Sequence, residues 1–128
     1  MAGFVPSTGV APIEVALAAP SGSLALAIVA VVAPVAEELF FRGLVYTLLE
    51  DRFGKGTALG RNIAFAGSWL VFAAAHLPQQ WGAWGAVASV ALAGLMFTVV
   101  RRITGSALAS GAAHLSHNAF INLLAISA

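Results

Sequence analysis

The sequence has 128 residues, 60% of them hydrophobic and 9% charged, with a mean hydropathy of +0.94. Soluble domains carry roughly 25% charged residues, so an ordinary water-soluble domain is excluded and a membrane protein is predicted. The formal net charge of +1 comes without a basic run, and cysteine is absent. We therefore expect no nucleic-acid partner and exclude disulfides, thiolate chemistry and cysteine-ligated metals.

The first 23 residues contain no Lys or Arg, but they do contain Pro12, Glu14 and Pro20. A positively charged start is missing, so this segment does not resemble a secretory signal. We expect residues 1–23 to form an interfacial or flexible N-terminal segment. Residues 24–128 are expected to form one domain.

That domain is predicted to be all-α, a polytopic membrane bundle of about four transmembrane helices. Apolar stretches near the roughly 20 residues that cross a hydrocarbon core alternate with short breaks rich in charge, glycine or proline. The predicted spans are Leu24–Glu50, Arg61–Leu77, Trp84–Val100 and Ala107–Ser127.

The first span carries acids near its middle, Glu37 and Glu38. A charged side chain at the centre of a lipid-facing helix costs roughly 2.5–3.5 kcal/mol, so the pair requires an explanation. Glu38 precedes Arg42 by four residues, a spacing that favours an ion pair on one helix face. Glu37 lies on a different face without a cation at helical spacing, and an unpaired acid suits a general base.

The second and fourth spans contribute imidazoles and an amide. His76 lies near the end of the second span, and His114 and Asn118 lie four residues apart on the fourth. Counted inward from the basic loops at about 1.5 Å per residue, these side chains and Glu37 have similar depths. We therefore expect them to converge on one site near the membrane midplane. His117 is interpreted as a polar packing or interface residue, and it is the reserve candidate for the site.

The charged loops predict an orientation. The first and third loops lie on one side of a four-span bundle, and the second loop has no Lys or Arg. The positive-inside rule places the basic side in the cytoplasm and both termini outside. The cations on that side are Arg52, Lys55, Arg61, Arg101 and Arg102.

The clustered residues suit hydrolysis of a peptide bond. An acid beside an imidazole, such as Glu37 beside His76, can deprotonate a water and later protonate the leaving amine. His114 and Asn118 could donate hydrogen bonds to the oxyanion that forms. A catalytic zinc site built from Glu37, His76 and His114 with a water stays open as an alternative.

Other proteolytic chemistries fit less well. No histidine is followed by glutamate, so the zincin motif H-E-x-x-H is absent. Asp51 is the only aspartate, which excludes a pair of catalytic aspartates. Neither Ser110 nor Ser116 lies in G-x-S-x-G, and both are expected to be helix contacts rather than nucleophiles.

Three motifs follow one another on separate spans: E-E-x-x-x-R at 37–42, F-x-x-x-H at 72–76 and H-x-x-x-N at 114–118. In these motifs the chain resembles the CPBP family of CAAX-protease and bacteriocin-processing membrane proteins, also called the Abi family. The resemblance extends from Glu37 to Asn118. Members of that family commonly have more spans than the four expected here.

The resemblance implies an intramembrane endopeptidase. It assigns water activation to Glu37 and His76, orientation of the base to Glu38 and Arg42, and the oxyanion site to His114 and Asn118 of the third motif. It also implies a peptide or protein substrate, prenylated or bacteriocin-like, in the bilayer of a prokaryotic plasma (inner) membrane. The favoured mechanism requires no cofactor, with zinc as the alternative.

Two functions of other classes use the same residues. A non-catalytic membrane scaffold or immunity protein would keep the fold and bind a peptide partner. A proton or ion relay, or a bis-histidine cofactor site, would use the same intramembrane acid and imidazoles.

Overall fold

A computed structural model describes residues 30–127 of the chain, including the side chains of residues 30–124. The chain divides into two compact units, Met1–Ala33 and Pro34–Ala128. Of the first unit only residues 30–33 are described, and they are helical. The expected N-terminal segment 1–23, the domain boundary after it and the start of the first span at Leu24 lie outside the described residues.

The described part of the second unit is helical apart from short connections and contains no strand. The predicted all-α helical bundle is thereby confirmed. We name the helices α1 to α4 in chain order. Helix α1 comprises residues 34–38, the π-helical segment Leu39–Val45 and the α-helical segment Tyr46–Gly54. The others are α2 (Ala58–Gln80), α3 (Trp84–Thr104) and α4 (Ala107–Ser127).

Local chemistry sets several helix ends. Helix α2 begins three residues earlier than its predicted span, because the Thr57 hydroxyl caps it and accepts the Gly60 N–H at 3.0 Å. Helix α3 ends where Gly105 adopts a φ of 69°, a left-handed conformation that glycine tolerates. The first three helices also run past the predicted ends at Glu50, Leu77 and Val100. The fourth helix has the predicted bounds.

The bundle is apolar outside and polar inside. Large hydrophobic side chains are exposed on every helix, for example Leu48 on α1 and Ile103 on α3. The fully buried side chains, in contrast, include Glu38 and Arg42. Within the described residues, α2 and α3 are long and apolar enough to cross a membrane. An apolar exterior around polar groups suits lipid surroundings, whereas the count of four spans stays a prediction.

The π-helical segment of α1 is held by side chains from two other helices. The Ser68 hydroxyl of α2 donates to the Phe41 carbonyl at 2.7 Å, and the Arg101 Nε of α3 donates to the Arg42 carbonyl at 2.8 Å. A π-helical turn widens the backbone spiral and is frequent at functional sites. Here it begins directly after Glu38, so these anchors fix the part of α1 that carries the acids.

Candidate active site

Glu38 lies at the centre of a buried polar cluster. Its side chain is 0% exposed, and Oε1 accepts hydrogen bonds from Arg42 Nη1 and His114 Nδ1, both at 3.0 Å. Oε2 accepts from the Ser110 hydroxyl at 2.6 Å. We call these residues, together with Thr98, the closed cluster. The ion pair predicted from the spacing of Glu38 and Arg42 is confirmed.

Arg42 uses its remaining donors within the same cluster. Its Nε and Nη2 donate to Thr98 Oγ1 at 3.3 and 3.1 Å, and Nη2 also donates to the Gly94 carbonyl. The guanidinium carbon lies 4.3 Å from the centroid of the Phe72 ring, close enough for a cation–π contact. A Cβ at Gly94 would overlap that ring, so glycine allows α3 to approach closely here. Every nitrogen of the buried guanidinium therefore has a hydrogen-bond acceptor.

Glu37 and His76 are arranged differently, and we call them the open pair. His76 Nε2 lies 3.8 Å from Glu37 Oε2, and the two side chains are 21% and 36% exposed. His76 Nδ1 is 2.8 Å from the Phe72 carbonyl. A carbonyl only accepts, so Nδ1 carries a proton, and in the neutral form of the ring Nε2 holds a lone pair. Two acceptors thus face each other without a direct hydrogen bond.

A cavity of about 680 Å³ lies beside the closed cluster and the open pair. Its polar lining comprises His76, Ser89, His114, His117 and Asn118, and its other walls are apolar. Glu37 is not among the described residues that line the cavity. Its carboxylate is linked to the cavity through its contact with His76. The structure therefore brings three imidazoles and one amide to a single cavity. Two of the imidazoles and the amide belong to the motifs, and the third imidazole is that of the reserve candidate His117.

The Phe97 ring holds two of these imidazoles. The His114 ring is stacked on it at a centroid distance of 4.3 Å, and the His117 ring meets it edge-on at 5.8 Å. No hydrogen bond joins the His117 ring to any described residue, although the ring lines the cavity. Its interpretation as a polar packing or interface residue stays a prediction.

Sequence reasoning missed parts of the closed cluster. Ser110 was expected to be a helix contact, which it is, but its bond to Glu38 was not foreseen. The signal was present, because Ser110 precedes His114 by four residues and so shares its helix face. Thr98 had no comparable signal, since it lies on the one helix without a motif residue.

A metal site does not emerge from these side chains. Among the described residues no group of three or more His, Cys, Asp or Glu side chains could hold a metal ion. In particular, Glu37, His76 and His114 do not form such a group, and Nδ1 of His114 is occupied by Glu38. The arrangement does not fit the zinc alternative, and no step of the mechanism is assigned to a metal.

The helices and the cavity define a membrane protein with a polar site inside its bundle. The family model described as Type II CAAX prenyl endopeptidase Rce1-like matches residues 19–120. The chain belongs to this family and is a CAAX-type membrane protease, which confirms the resemblance read from the three motifs. Comparisons with curated proteins and with solved structures found no match.

Proposed function

We propose that the protein is an intramembrane endopeptidase that cleaves the tails of membrane-delivered peptides or proteins with a water activated by Glu37 and His76. The observation that carries this proposal is the open pair, in which Glu37 Oε2 and His76 Nε2 lie 3.8 Å apart beside the cavity. The closed cluster supports it, because the second glutamate already accepts three hydrogen bonds from protein donors.

A water between the open pair suits both partners. Polar groups separated by more than about 3.5 Å are commonly bridged by water, and a water can donate one hydrogen to the carboxylate and one to the imidazole lone pair. Glu37 takes a proton as the water oxygen attacks the peptide carbonyl carbon. The carbon–nitrogen bond then breaks, and the proton passes from Glu37 to the departing amine.

His114 and Asn118 are proposed to stabilise the oxyanion of the tetrahedral intermediate. His114 Nδ1 donates to Glu38, which leaves Nε2 for the cavity. To donate from Nε2 as well, the ring must carry both protons, and the Glu38 carboxylate stabilises that cation. The Asn118 amide, four residues further along the same helix, supplies a second donor. Such donors act most strongly in a water-poor site with apolar walls.

The substrate is proposed to be a peptide tail that reaches the site through the bilayer, prenylated as the family description indicates or bacteriocin-like. The cavity presents Phe72, Met96, Phe97 and Ile121 beside its polar groups, which suits an apolar segment. No cofactor is required by this mechanism.

We also propose a prokaryotic plasma (inner) membrane, with the basic loops in the cytoplasm. Arg102 Nη2 donates to Asn62 Oδ1 at 2.9 Å. This contact joins the start of α2 to the end of α3. It supports a shared side for the basic first and third loops.

A cleavage assay in liposomes tests the proposal. The purified chain is mixed with a fluorescent prenylated C-a-a-X peptide, and release of the C-terminal fragment is followed. We expect cleavage by the wild type and its loss in Glu37→Ala and His76→Ala. The matched control is Ser116→Ala, because Ser116 is exposed and donates only to the carbonyl one turn before it.

Two results would overturn the proposal. One is wild-type cleavage rates in both Glu37→Ala and His76→Ala. The other is a wild type that binds the peptide without cleaving it, with binding unchanged in Glu37→Gln, which indicates a non-catalytic membrane scaffold or immunity protein.

A further inference from the structure

Three protein donors converge on the Glu38 carboxylate, and one of them belongs to none of the three motifs. Arg42 and His114 both donate to Oε1, whereas the Ser110 hydroxyl alone donates to Oε2, at 2.6 Å. Ser110 is 0% exposed and does not line the cavity. Its hydroxyl therefore cannot reach a substrate, and any effect on catalysis is indirect, through its hydrogen bonds or its packing.

The Ser110 hydroxyl has one hydrogen and two acceptors within reach, Glu38 Oε2 at 2.6 Å and the Phe97 carbonyl at 2.9 Å. The shorter distance lies in the range of about 2.5–2.7 Å that is typical of a hydroxyl donating to a carboxylate. The Phe97 contact comes from α3 and fixes where the hydroxyl oxygen sits. Ser110 thus ties the carboxylate of α1 to both α3 and α4.

This contact has a consequence for the imidazole. With Oε2 held by Ser110, the carboxylate cannot rotate about its last bond, and Oε1 stays directed at Arg42 and His114. Because a carboxylate paired with arginine only accepts, the nitrogen of His114 that meets it has to carry a hydrogen. That nitrogen is Nδ1, so Nε2 is the nitrogen available to the cavity.

We propose that Ser110 is a positioning residue, which orients Glu38 so that His114 keeps Nδ1 protonated and directed at Glu38 and presents Nε2 to the reacting peptide. The role in catalysis rests on the proposed endopeptidase function. The arrangement of the Ser110–Glu38–His114 chain does not, and it can be measured without any substrate.

The first measurement is the protonation pattern of the histidine rings. Nitrogen-15 spectra of the ring-labelled full-length protein in detergent micelles distinguish protonated from unprotonated ring nitrogens. The three histidines are assigned with single His→Gln variants. We expect a protonated Nδ1 for His114 in the wild type and in Ser116→Ala, and a second form with an unprotonated Nδ1 in Ser110→Ala.

The second measurement is the rate of cleavage of the prenylated peptide. Loss of one hydrogen bond to a charged group typically lowers a rate by about tenfold. We expect Ser110→Ala to lower kcat by about that factor with KM unchanged. Ser110→Thr keeps the hydroxyl and should restore both the rate and the His114 spectrum, whereas Ser116→Ala should match the wild type.

Clear outcomes overturn the inference. A wild-type His114 spectrum in Ser110→Ala does so even if kcat falls, because the effect would then be one of packing. An altered spectrum in Ser110→Thr does so as well, since the hydroxyl would not be the determinant. If Ser110→Ala does not fold, Ser110→Cys replaces it, because a thiol donates only weakly. A wild-type His114 spectrum in Ser110→Cys would then overturn the inference in the same way.

The two proposals fail in distinguishable ways. If the wild type cleaves no peptide but the spectra respond to Ser110→Ala as expected, the endopeptidase proposal fails and the orientation of His114 by Ser110 stands. If Glu37→Ala abolishes cleavage while Ser110→Ala changes neither kcat nor the spectrum, only the positioning role fails.

Discussion

Glu37 and Glu38 are neighbours on α1, and each faces an imidazole from another helix, yet their surroundings are opposite. Glu38 is 0% exposed and receives His114 Nδ1 at 3.0 Å together with donors from Arg42 and Ser110. Glu37 is 36% exposed and lies 3.8 Å from His76 Nε2. Consecutive residues of a helix point about 100° apart, so one carboxylate enters the bundle core and the other stays partly exposed beside His76.

The different surroundings of the two carboxylates suit different roles, one structural and one catalytic. A carboxylate that accepts three hydrogen bonds from buried protein donors has little capacity left for a water or a proton, but it fixes the groups that donate to it. A carboxylate that faces another acceptor across 3.8 Å keeps that capacity. The closed cluster is therefore expected to govern stability and geometry, and the open pair to govern rate.

The largest effect is expected in the open pair. Glu37→Gln removes the base but keeps the size of the side chain, so cleavage should slow by about 10²–10⁴-fold, the usual contribution of general acid–base catalysis. The unfolding midpoint should not change, because Glu37 makes no direct hydrogen bond to His76. Rates in liposomes and thermal unfolding in micelles measure the two quantities. Glu50→Gln, the same change near the end of α1, is the control.

The comparison would break if Glu37→Gln lowered the unfolding midpoint while leaving the cleavage rate as it was. The open pair would then have the structural role that is assigned here to the closed cluster.

A comparable effect, on stability instead of rate, is expected in the closed cluster. Arg42→Leu leaves Glu38 as a buried, unpaired charge, and breaking a buried pair in this way costs about 3–5 kcal/mol in the free energy of unfolding. Denaturation in detergent measures the loss, and the double variant with Glu38→Leu should recover part of it. A loss within about 1 kcal/mol, as for exposed ion pairs, would contradict full burial of the pair.

A somewhat smaller effect is expected across the cavity. Asn118→Ala removes one of the two proposed oxyanion donors, which typically costs about 2.7–4 kcal/mol of transition-state stabilisation, or roughly 10²–10³-fold in kcat. Steady-state kinetics measure kcat and KM separately, and KM should stay nearly constant. Asn122→Ala, one turn further along α4 and outside the cavity lining, should leave both constants unchanged. Equal losses in the two variants would remove Asn118 from the oxyanion site.

The smallest effect is expected for the exposed counterpart of the closed cluster. Lys55 Nζ lies 3.0 Å from Asp51 Oδ1 in side chains that are 75% and 47% exposed. The hydrogen bond to Asp51, and then its charge, raise the pKa of Lys55. The pair's contribution is therefore present below the unfolded pKa of lysine and is lost as the pH rises through the raised value.

Because water and salt screen such a pair, Asp51→Ala should not shift the unfolding midpoint measurably at neutral pH. Thermal unfolding at neutral and strongly alkaline pH checks this expectation. A loss at neutral pH comparable with that of Arg42→Leu would show that burial does not distinguish the two ion pairs.

Part of this site could be predicted from local spacing. Glu38 and Arg42 lie one helical turn apart, so a helical first span alone brings them together. The same holds for His114 and Asn118 on α4. The apolar stretches that define the helices are equally local properties, and so the all-α bundle and the membrane class were predictable without any knowledge of packing.

Local spacing could not predict which of the two glutamates accepts hydrogen bonds from several protein donors. Ser110 and His114 are separated from Glu38 by 72 and 76 residues along the chain. Their distance in space from Glu38 depends on how α4 packs against α1. Sequence by itself determined the helices, the motifs and the one-turn ion pair, because these follow from composition and helical periodicity. Only the tertiary structure decided that one acid is enclosed by donors from its own helix and from α4 while its neighbour stays partly exposed, because helix packing sets which face of α1 is covered.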